Sequence, residues 1–196
     1  FADTSTNGPT SWSWNFGDGE SATTQHPVHT YDNPGCYTVS LSVANDGGSD
    51  TLTKPDYIVV AFPDIEESHW AFDAIMACQA AGIVQGYWDN TFRPELPVDR
   101  AQMAAFISRA LAGGDENVPA GPATATFADV PTSHWAFKYV EYAYANEIVL
   151  GYWDGYHPTE IVDRGQMAVF LARAMVGGES NVPAAGATPT FADVTA

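Results

Sequence analysis

The chain has 196 residues, of which 45% are hydrophobic and 13% aromatic, so it can form one large or several small hydrophobic cores. It carries 24 acidic against only 7 basic side chains, and the formal net charge of −17 repels phosphate backbones and anionic lipids. Nucleic acid and membrane surfaces are therefore poor partners, and no apolar run has the length of a transmembrane helix.

The first residue and the composition indicate the origin and the cellular location of the chain. It begins with Phe rather than Met, so we expect a processed or excised piece of a longer protein. Few lysines, many Thr, Ser and Gly residues and the acidic balance favour an extracellular surface protein. Cys36 and Cys78 form no disulfide framework and no metal-ligand spacing.

Residues 1–61 have the pattern of short strands. "TSWSW" places Trp12 and Trp14 on one face of a strand, and "CYTVSLSV" from Cys36 alternates apolar and polar residues. "FGDG" and "NDGG" are turn sequences. The segment therefore predicts a small antiparallel β-sandwich, with Cys36 on the polar face of its strand.

Residues 62–190 contain an internal repeat. "SHWAF" at Ser68 returns at Ser133, an offset of 65, and "GYWD" returns at the same offset. "VDRAQMA" from Val98 matches "VDRGQMA" from Val162 at an offset of 64. We therefore expect a first repeat with its linker over 62–126 and a second over 127–190. The closing "FADVTA" at 191–196 then reads as the start of a third, or as a cap that packs against the second.

Each repeat has the pattern of a helix, a loop and a second helix. We expect the first helix to begin near Ser68 or Ser133 with a hydroxyl cap and to bury Trp70 or Trp135. In the first repeat Cys78 joins that buried stripe. The helix ends are predicted at Gly82 and Asn146. The second helices begin at "DRAQ" and "DRGQ", where Asp and Gln are spaced for a capping box.

Two family resemblances rest on these motifs. Residues 1 to 60 resemble a PKD domain, an immunoglobulin-like sandwich, through "WSWNFGDGE", "HPVHTYDNPGCYTVSLSV" and "NDGGSD", although the family's first strand is missing. Residues 62 to 190 resemble two S-layer homology (SLH) repeats through "FPDIEESHWAFDAI" and "GIVQGYWDNTFRPELPVDRAQMAAFISRAL". The resemblance implies an α+β multidomain protein: a PKD-type β-sandwich, then an all-α pair of helix-loop-helix repeats.

The second resemblance implies binding of cell-wall polysaccharide in grooves between repeats. The family's Thr-Arg-Ala-Glu signature is replaced here by Asp-Arg-Ala-Gln and Asp-Arg-Gly-Gln, which keep Arg100 and Arg164. A guanidinium can bind a sugar carboxylate through two hydrogen bonds, and aromatic faces can stack on sugar rings. The candidate glycan-binding residues are Arg100, Arg164, Tyr87, Trp88, Tyr152 and Trp153. An alternative is that the arginines only pair with local carboxylates such as Asp99 and Asp163.

No other motif points to chemistry. The histidines of "HPVH" and the acidic loops lack a ligand cluster, and no carboxylate pair is tied to a nucleophile, so we expect no metal, no cofactor and no catalytic residue. The first hypothesis is a non-catalytic, extracellular surface protein, in which the helical repeats attach to cell-wall polysaccharide or neighbouring subunits and the PKD-like module is a spacer or interaction domain. The alternatives are a self-assembling subunit of an S-layer, sheath or filament, with copies of itself as partners, and an accessory fragment of a secreted hydrolase.

Overall fold

The computed structural model describes residues 1–184. The segment 191–196, predicted to start a third repeat or to form a cap, lies outside the described residues. The chain divides into two compact units, Phe1–Glu95 and Leu96–Ala196. The first unit therefore contains the strand-rich segment and the beginning of the first repeat.

The N-terminal segment forms one antiparallel sheet. Its strands are β1 (Ser11–Asn15), β2 (Ser21–Ala22), β3 (Gly35–Asn45) and β4 (Gly48–Val60), in the spatial order β2-β1-β3-β4. The predicted turns join β1 to β2 and β3 to β4, as hairpin connections do. Residues 1–184 contain this one sheet, so the predicted sandwich of two sheets is not confirmed.

The two faces of this sheet differ in polarity as predicted. Trp14 lies opposite Leu41 and Trp12 opposite Val43, which places the apolar residues on one face. Trp14 packs there with other buried apolar side chains, Phe16 and Val39. On the other face, the hydroxyls of Ser42 and Thr51 lie 2.7 Å apart across β3 and β4. The thiol of Cys36 is half-buried and free, and so is that of Cys78.

The first helix of each repeat starts later than the sequence predicts. Helix α1 spans Phe72–Ala80 and α3 spans Phe137–Ala145, and neither has a side-chain cap. The predicted hydroxyl cap is therefore wrong. The preceding histidine replaces it, because the backbone N–H of Ala71 donates to Nδ1 of His69 at 3.2 Å. His134 accepts from Ala136 in the same way at 3.1 Å.

The ends of these first helices are set by residues with positive φ. Gly82 has φ +68°, as predicted for the residue that ends the first copy. In the second copy Glu147 adopts φ +57°, whereas Asn146 stays at φ −96°. The prediction for Asn146 is therefore wrong. The left-handed conformation occurs at Glu147, the residue equivalent to Gly82, although glutamate has a side chain.

The second helices match their predicted start. Helix α2 spans Arg100–Ala112 and α4 spans Arg164–Val176, and both have complete capping boxes, formed by Asp99 with Gln102 and by Asp163 with Gln166. Each helix ends at a left-handed glycine, Gly113 or Gly177. Short 3-10 turns follow at Asp115–Asn117 and Glu179–Asn181. The repeats are not purely helical, because isolated β-bridges join 99 to 161 and 152 to 155.

The core of the second unit lies between α2 and α3. Ala104 and Ala105 of α2 are 1% exposed, and Val140 and Ala143 of α3 are fully buried. The second helix of the first repeat therefore belongs to the same compact unit as the second repeat. Among residues 1–184, no helix combines the length and the apolar character needed to span a membrane.

Candidate functional site

The "GYWD" loop of the second repeat is a tight turn. Gly151 has φ +69°, and the backbone N–H of Tyr152 donates to the carbonyl of Gly155 at 2.7 Å. The carboxylate of Asp129 accepts the N–H of Tyr156 at 2.9 Å and that of His157 at 2.7 Å. Partial burial acts to raise the pKa of Asp129, but these hydrogen bonds outweigh it and lower the pKa. The carboxylate thus holds the loop as an anion.

The first repeat builds its loop in the same way. Tyr87 donates its N–H to the carbonyl of Thr91 at 2.8 Å, and Asp64 accepts the N–H groups of Phe92 and Arg93. The guanidinium of Arg93 then lies 4.2 Å from the centre of the Tyr87 ring. Hydrogen bonds from Thr91 and from Arg93 lower the pKa of Asp89 to about 2. In the first repeat, the cation that contacts the tyrosine ring is therefore Arg93 of the same loop.

Arg100 lies beneath the loop of the second repeat and is only 4% exposed. Its Nε donates to the carbonyl of Tyr156 at 2.8 Å, and its guanidinium lies 4.7 Å from the ring centres of both Tyr152 and Tyr156. These are cation–π distances. None of the ion pairs among residues 1–184 involves Arg100, because the carboxylate of Asp99 caps the helix instead.

Arg164 has a different environment from Arg100. It is exposed at the start of α4, and it has no hydrogen bond or ion pair with another residue of the described part of the chain. Asp163 is again engaged as a cap, accepting the N–H of Gln166 at 2.7 Å. The predicted alternative, in which the arginines pair with these aspartates, is therefore not seen at either position.

One hydroxyl connects the beginnings of α2 and α4. Nε2 of Gln166 donates to the Tyr152 hydroxyl at 3.2 Å, and Nη1 of Arg100 lies 3.5 Å from the same oxygen. Tyr152 is 41% exposed, and its neighbour Trp153 is 97% exposed. The structure thus brings together Arg100, Tyr152 and Trp153 of the predicted set, with Arg164 at the start of the helix that carries Gln166.

The tryptophans are distributed differently from the sequence prediction. Trp88 and Trp153 expose 91% and 97% of their surface, as expected for exposed loop residues. Trp70 and Trp135 were predicted to be buried, but they are 90% and 57% exposed. That prediction is wrong because the helices begin two residues after each Trp, so these rings are not part of the helical stripe.

The sequence analysis missed two residues of the site and assigned a third only a local role. Asp129, Tyr156 and Gln166 position the loop, yet only Gln166 had been assigned a role, as a cap. The available signal for Asp129 was its recurrence: Asp64 occupies the same place in "FPDI" as Asp129 does in "FADV". Residues 1–184 contain no group of three or more His, Cys, Asp or Glu side chains placed to hold a metal ion.

Fold and site together define a modular protein, in which a β-sheet domain precedes two helical repeats with exposed aromatic loops. Family models match residues 1–60 as a PKD domain, and residues 61–104 and 126–168 as S-layer homology domains. The chain therefore carries a PKD domain followed by S-layer homology domains, as the sequence motifs predicted.

Curated relatives match between about half and three fifths of the chain. The chain is 36% identical over 100 residues to a cellulosome-anchoring protein of Acetivibrio thermocellus, a match covering 51% of this chain and 19% of the relative. It is 30% identical over 115 residues to a cell surface protein of Thermoanaerobacter kivui, covering 58% and 15%. An endo-1,4-beta-xylanase A of Thermoanaerobacterium saccharolyticum is 32% identical over 108 residues, covering 55% and 9%.

Each match covers less than a fifth of the relative's own length. These proteins therefore share one part of their length with this chain and not their whole domain architecture. The S-layer homology domains and the named surface proteins among the relatives identify the chain as part of an extracellular, cell-surface protein.

Proposed function

We propose that this chain is a non-catalytic attachment module that binds an acidic cell-wall polysaccharide through the starts of its second helices and the adjoining aromatic loops. The observation that carries the proposal is the arrangement around Tyr152. Its hydroxyl is shared by groups from the starts of α2 and α4, and the side chain of Trp153 projects beside it into solvent.

Electrostatics favour Arg164 as the residue that meets the ligand's charge. The chain carries 7 basic side chains and a net charge of −17, so an exposed arginine with no carboxylate partner among residues 1–184 is unusual in it. A guanidinium can bind a carboxylate or phosphate with two parallel, charge-assisted hydrogen bonds. An anionic polymer is repelled by most of this surface and attracted at this point, which restricts where it binds.

The aromatic loops provide the second part of the proposed site. An exposed tryptophan leaves a large apolar face in water, and stacking on the apolar face of a sugar ring would remove that area from solvent. Trp153 is 97% exposed and Trp88, on the equivalent loop of the first repeat, is 91% exposed. Tyr87 and Tyr152 precede these tryptophans in the chain, and an arginine contacts the ring of each tyrosine.

Arg100 enters the proposal mainly as a positioning residue. With 4% of its surface exposed, it offers little area to a polymer, whereas its contacts to Tyr152 and Tyr156 hold the loop beneath Trp153. Loss of Arg100 is therefore expected to weaken binding by disordering the loop. Loss of Arg164 is expected to weaken binding without disturbing the fold.

Binding to isolated cell-wall polysaccharide tests the proposal. Arg164→Ala and Trp153→Ala should each weaken binding about tenfold, because one charged contact or one stacked ring contributes about 1.4 kcal/mol or more. Arg164→Lys should recover little, since an ammonium cannot make the paired hydrogen bonds. Trp70→Ala is the matched control, because Trp70 is equally exposed but lies outside the proposed site. Equal losses in Trp70→Ala and Trp153→Ala would contradict the assignment.

Relatives named as hydrolases suggest how such a module is used. The xylanase relative and an amylopullulanase of Thermoanaerobacterium thermosulfurigenes match this chain over only 9% and 6% of their lengths. We infer that the same attachment role serves equally well in a piece that accompanies a catalytic domain. Purified chain without hydrolase activity, together with retained polysaccharide binding, is the expected result.

Self-assembly is a second candidate, favoured by an open groove on the sheet. A groove of about 800 Å³ follows the apolar face of the sheet and is lined by Leu41, Val43 and Leu52, the last of which is 61% exposed. The strand β4 borders the sheet and could pair with a strand from a neighbouring copy. Sedimentation and electron microscopy at high protein concentration test this candidate, and a dispersed monomer would reject it.

A further inference from the structure

The PKD domain and the first aromatic loop, residues 86–93, belong to one compact unit, Phe1–Glu95. At one end of the sheet, Gly35 at the start of β3 pairs with Val60 at the end of β4. One residue after β4 the chain reaches Phe62, which is 2% exposed. A connection of one residue cannot act as a flexible linker, so the sheet leads directly into the first repeat.

The first aromatic loop packs against the residue that follows the sheet. Gly86 begins the loop at φ +69°, and a Cβ at this position would collide with the ring of Phe62. The Phe92 ring lies on the other side of the loop, with its centre 5.4 Å from that of Phe62. Gly151 meets Phe127 in the same way in the second repeat. This packing is therefore common to both repeats and does not itself require the PKD domain.

The first loop makes a second contact, which is with the PKD domain. Nδ2 of Asn90 donates to the carbonyl of Asp32 at 3.3 Å and to Oδ1 of Asn33 at 3.2 Å. Asn90 has φ +64°, a conformation that asparagine adopts more readily than most residues. One side-chain amide thus joins the aromatic loop to the segment that precedes β3.

The acceptor side of this contact is fixed from within the PKD domain. The hydroxyl of Tyr37 donates to the carbonyl of Asn33 at 2.8 Å, and the Tyr37 ring stacks on Tyr31 at 4.4 Å. Tyr31 in turn donates its hydroxyl to the carbonyl of Phe16 at 3.0 Å, and Phe16 is 2% exposed in the core of the domain. Asn90 therefore binds a segment that is anchored to a packed core.

The second repeat differs at the residue that makes this contact. At an offset of 65, Gly155 takes the place of Asn90, and the next residue of the first loop, Thr91, has no counterpart. Gly155 has no side chain with which to donate, and a Cβ there would collide with the carboxylate of Asp129. The two loops thus differ in side chain and in length beside the residue that contacts the PKD domain.

We propose that the PKD domain is a platform that positions the first aromatic loop, and that Asn90 is the positioning residue that joins them. Trp88 on this loop is 91% exposed, so its direction depends on the loop backbone. Holding that backbone reduces the entropy lost when a ligand stacks on the ring. The effect on polysaccharide affinity rests on the proposed function, whereas the contact between domain and loop does not.

Hydrogen–deuterium exchange measured by mass spectrometry tests the platform. The amides of Tyr87 and Asn90 donate to carbonyls of the same loop, so their exchange reports whether the loop opens. Asn33→Ala alters only the PKD side of the contact. It should speed exchange in peptides covering 86–93 at least about threefold, because the loop loses one hydrogen bond. Asn33→Asp keeps an acceptor oxygen and should leave the rate within about twofold of wild type.

Asn90→Gly removes the donor and tolerates the positive φ, so it should speed exchange at 86–93 at least as much as Asn33→Ala does. The double variant should exchange no faster than Asn90→Gly alone, because both changes break one contact. An additive effect would overturn the proposal, since it would show that the two residues act separately.

Two controls accompany these variants. Peptides covering 151–157 report on the second aromatic loop in the same sample and should be unchanged throughout. Asn45→Ala, at the opposite end of β3, removes a hydrogen bond to the carbonyl of Asn7 and tests for general loosening of the sheet. Unchanged exchange at 86–93 in Asn33→Ala, or an equal effect of Asn45→Ala, would overturn the proposal.

Polysaccharide binding separates this proposal from the proposed function. In a Trp153→Ala background the first loop carries the aromatic contact, and Asn33→Ala should weaken binding about threefold, whereas Asn33→Asp should not. Faster exchange without any loss of binding would overturn the role of the platform in the site. A wild-type chain that does not bind would contradict the proposed function instead, and the exchange rates would still decide whether the PKD domain holds the loop.

Discussion

Removal of the Asp129 carboxylate should destabilise the second unit by an amount that the geometry bounds. In Asp129→Ala the N–H groups of Tyr156 and His157 lose their acceptor. The amide of His157 is exposed and can turn to water, whereas that of Tyr156 is partly buried and cannot do so freely. A hydrogen bond to a charged group contributes about 1.5–3 kcal/mol, so we expect a loss of about that size.

The pH dependence of this loss identifies the charge as its cause. The pKa of Asp129 is lowered in the folded chain, so its contribution is present above the ordinary aspartate pKa of about 3.9 and disappears as the pH falls through the lower folded value. The difference in unfolding free energy between wild type and Asp129→Ala should therefore be full at pH 7 and should shrink steadily as the pH falls below the ordinary aspartate pKa.

Urea unfolding followed by far-UV circular dichroism measures these differences. Asp129→Asn, which keeps one acceptor oxygen without the charge, should fall between wild type and Asp129→Ala. Asp64→Ala is the matched change in the first unit, where Asp64 accepts the N–H groups of Phe92 and Arg93. A loss below about 0.5 kcal/mol, or one that stays constant from pH 7 to the acid end, would refute the reasoning.

Two further changes test the packing of the second unit. Tyr139→Phe removes a buried hydroxyl that donates to Asp115, and should cost about 1–2 kcal/mol in urea unfolding, whereas Tyr144→Phe, at a 40% exposed tyrosine, should cost less than about 0.5. Gly151→Ala should cost more than about 2 kcal/mol, because a Cβ there would collide with the ring of Phe127 at positive φ. Gly8→Ala, also at positive φ but in open space, should cost only about 1, and equal losses would show that the collision is unimportant.

The local features of this fold could be read from the sequence. Both capping boxes were predicted, because a cap depends on two residues three positions apart and on little else. The alternation of "CYTVSLSV" likewise predicted the face of β3 that meets Trp14. Such patterns are set within one element, so an isolated sequence is sufficient to find them.

The non-local features could not be read in this way. Arg100 is buried by tyrosines that lie 52 and 56 residues further along the chain, and no spacing in the sequence indicates that approach. The sequence analysis therefore treated Arg100 and Arg164 as equivalent, whereas the structure buries one and exposes the other. Trp70 was placed in the core because the apolar pattern was extended backwards past the true start of α1.

The boundary between the compact units has a consequence for how such proteins are made and recombined. The first sequence repeat ends near residue 126, but α2 belongs to the same compact unit as α3, and the boundary between the units lies at Glu95. A 13-residue helix is marginal alone, so α2 must wait during synthesis until the chain up to Ala145 is available to cover it. Recombination at the repeat boundary would separate α2 from α3 and divide their shared core between two products. Recombination near residue 95 would transfer a complete compact unit. The boundaries of the sequence repeat and of the compact unit therefore differ by one helix, α2.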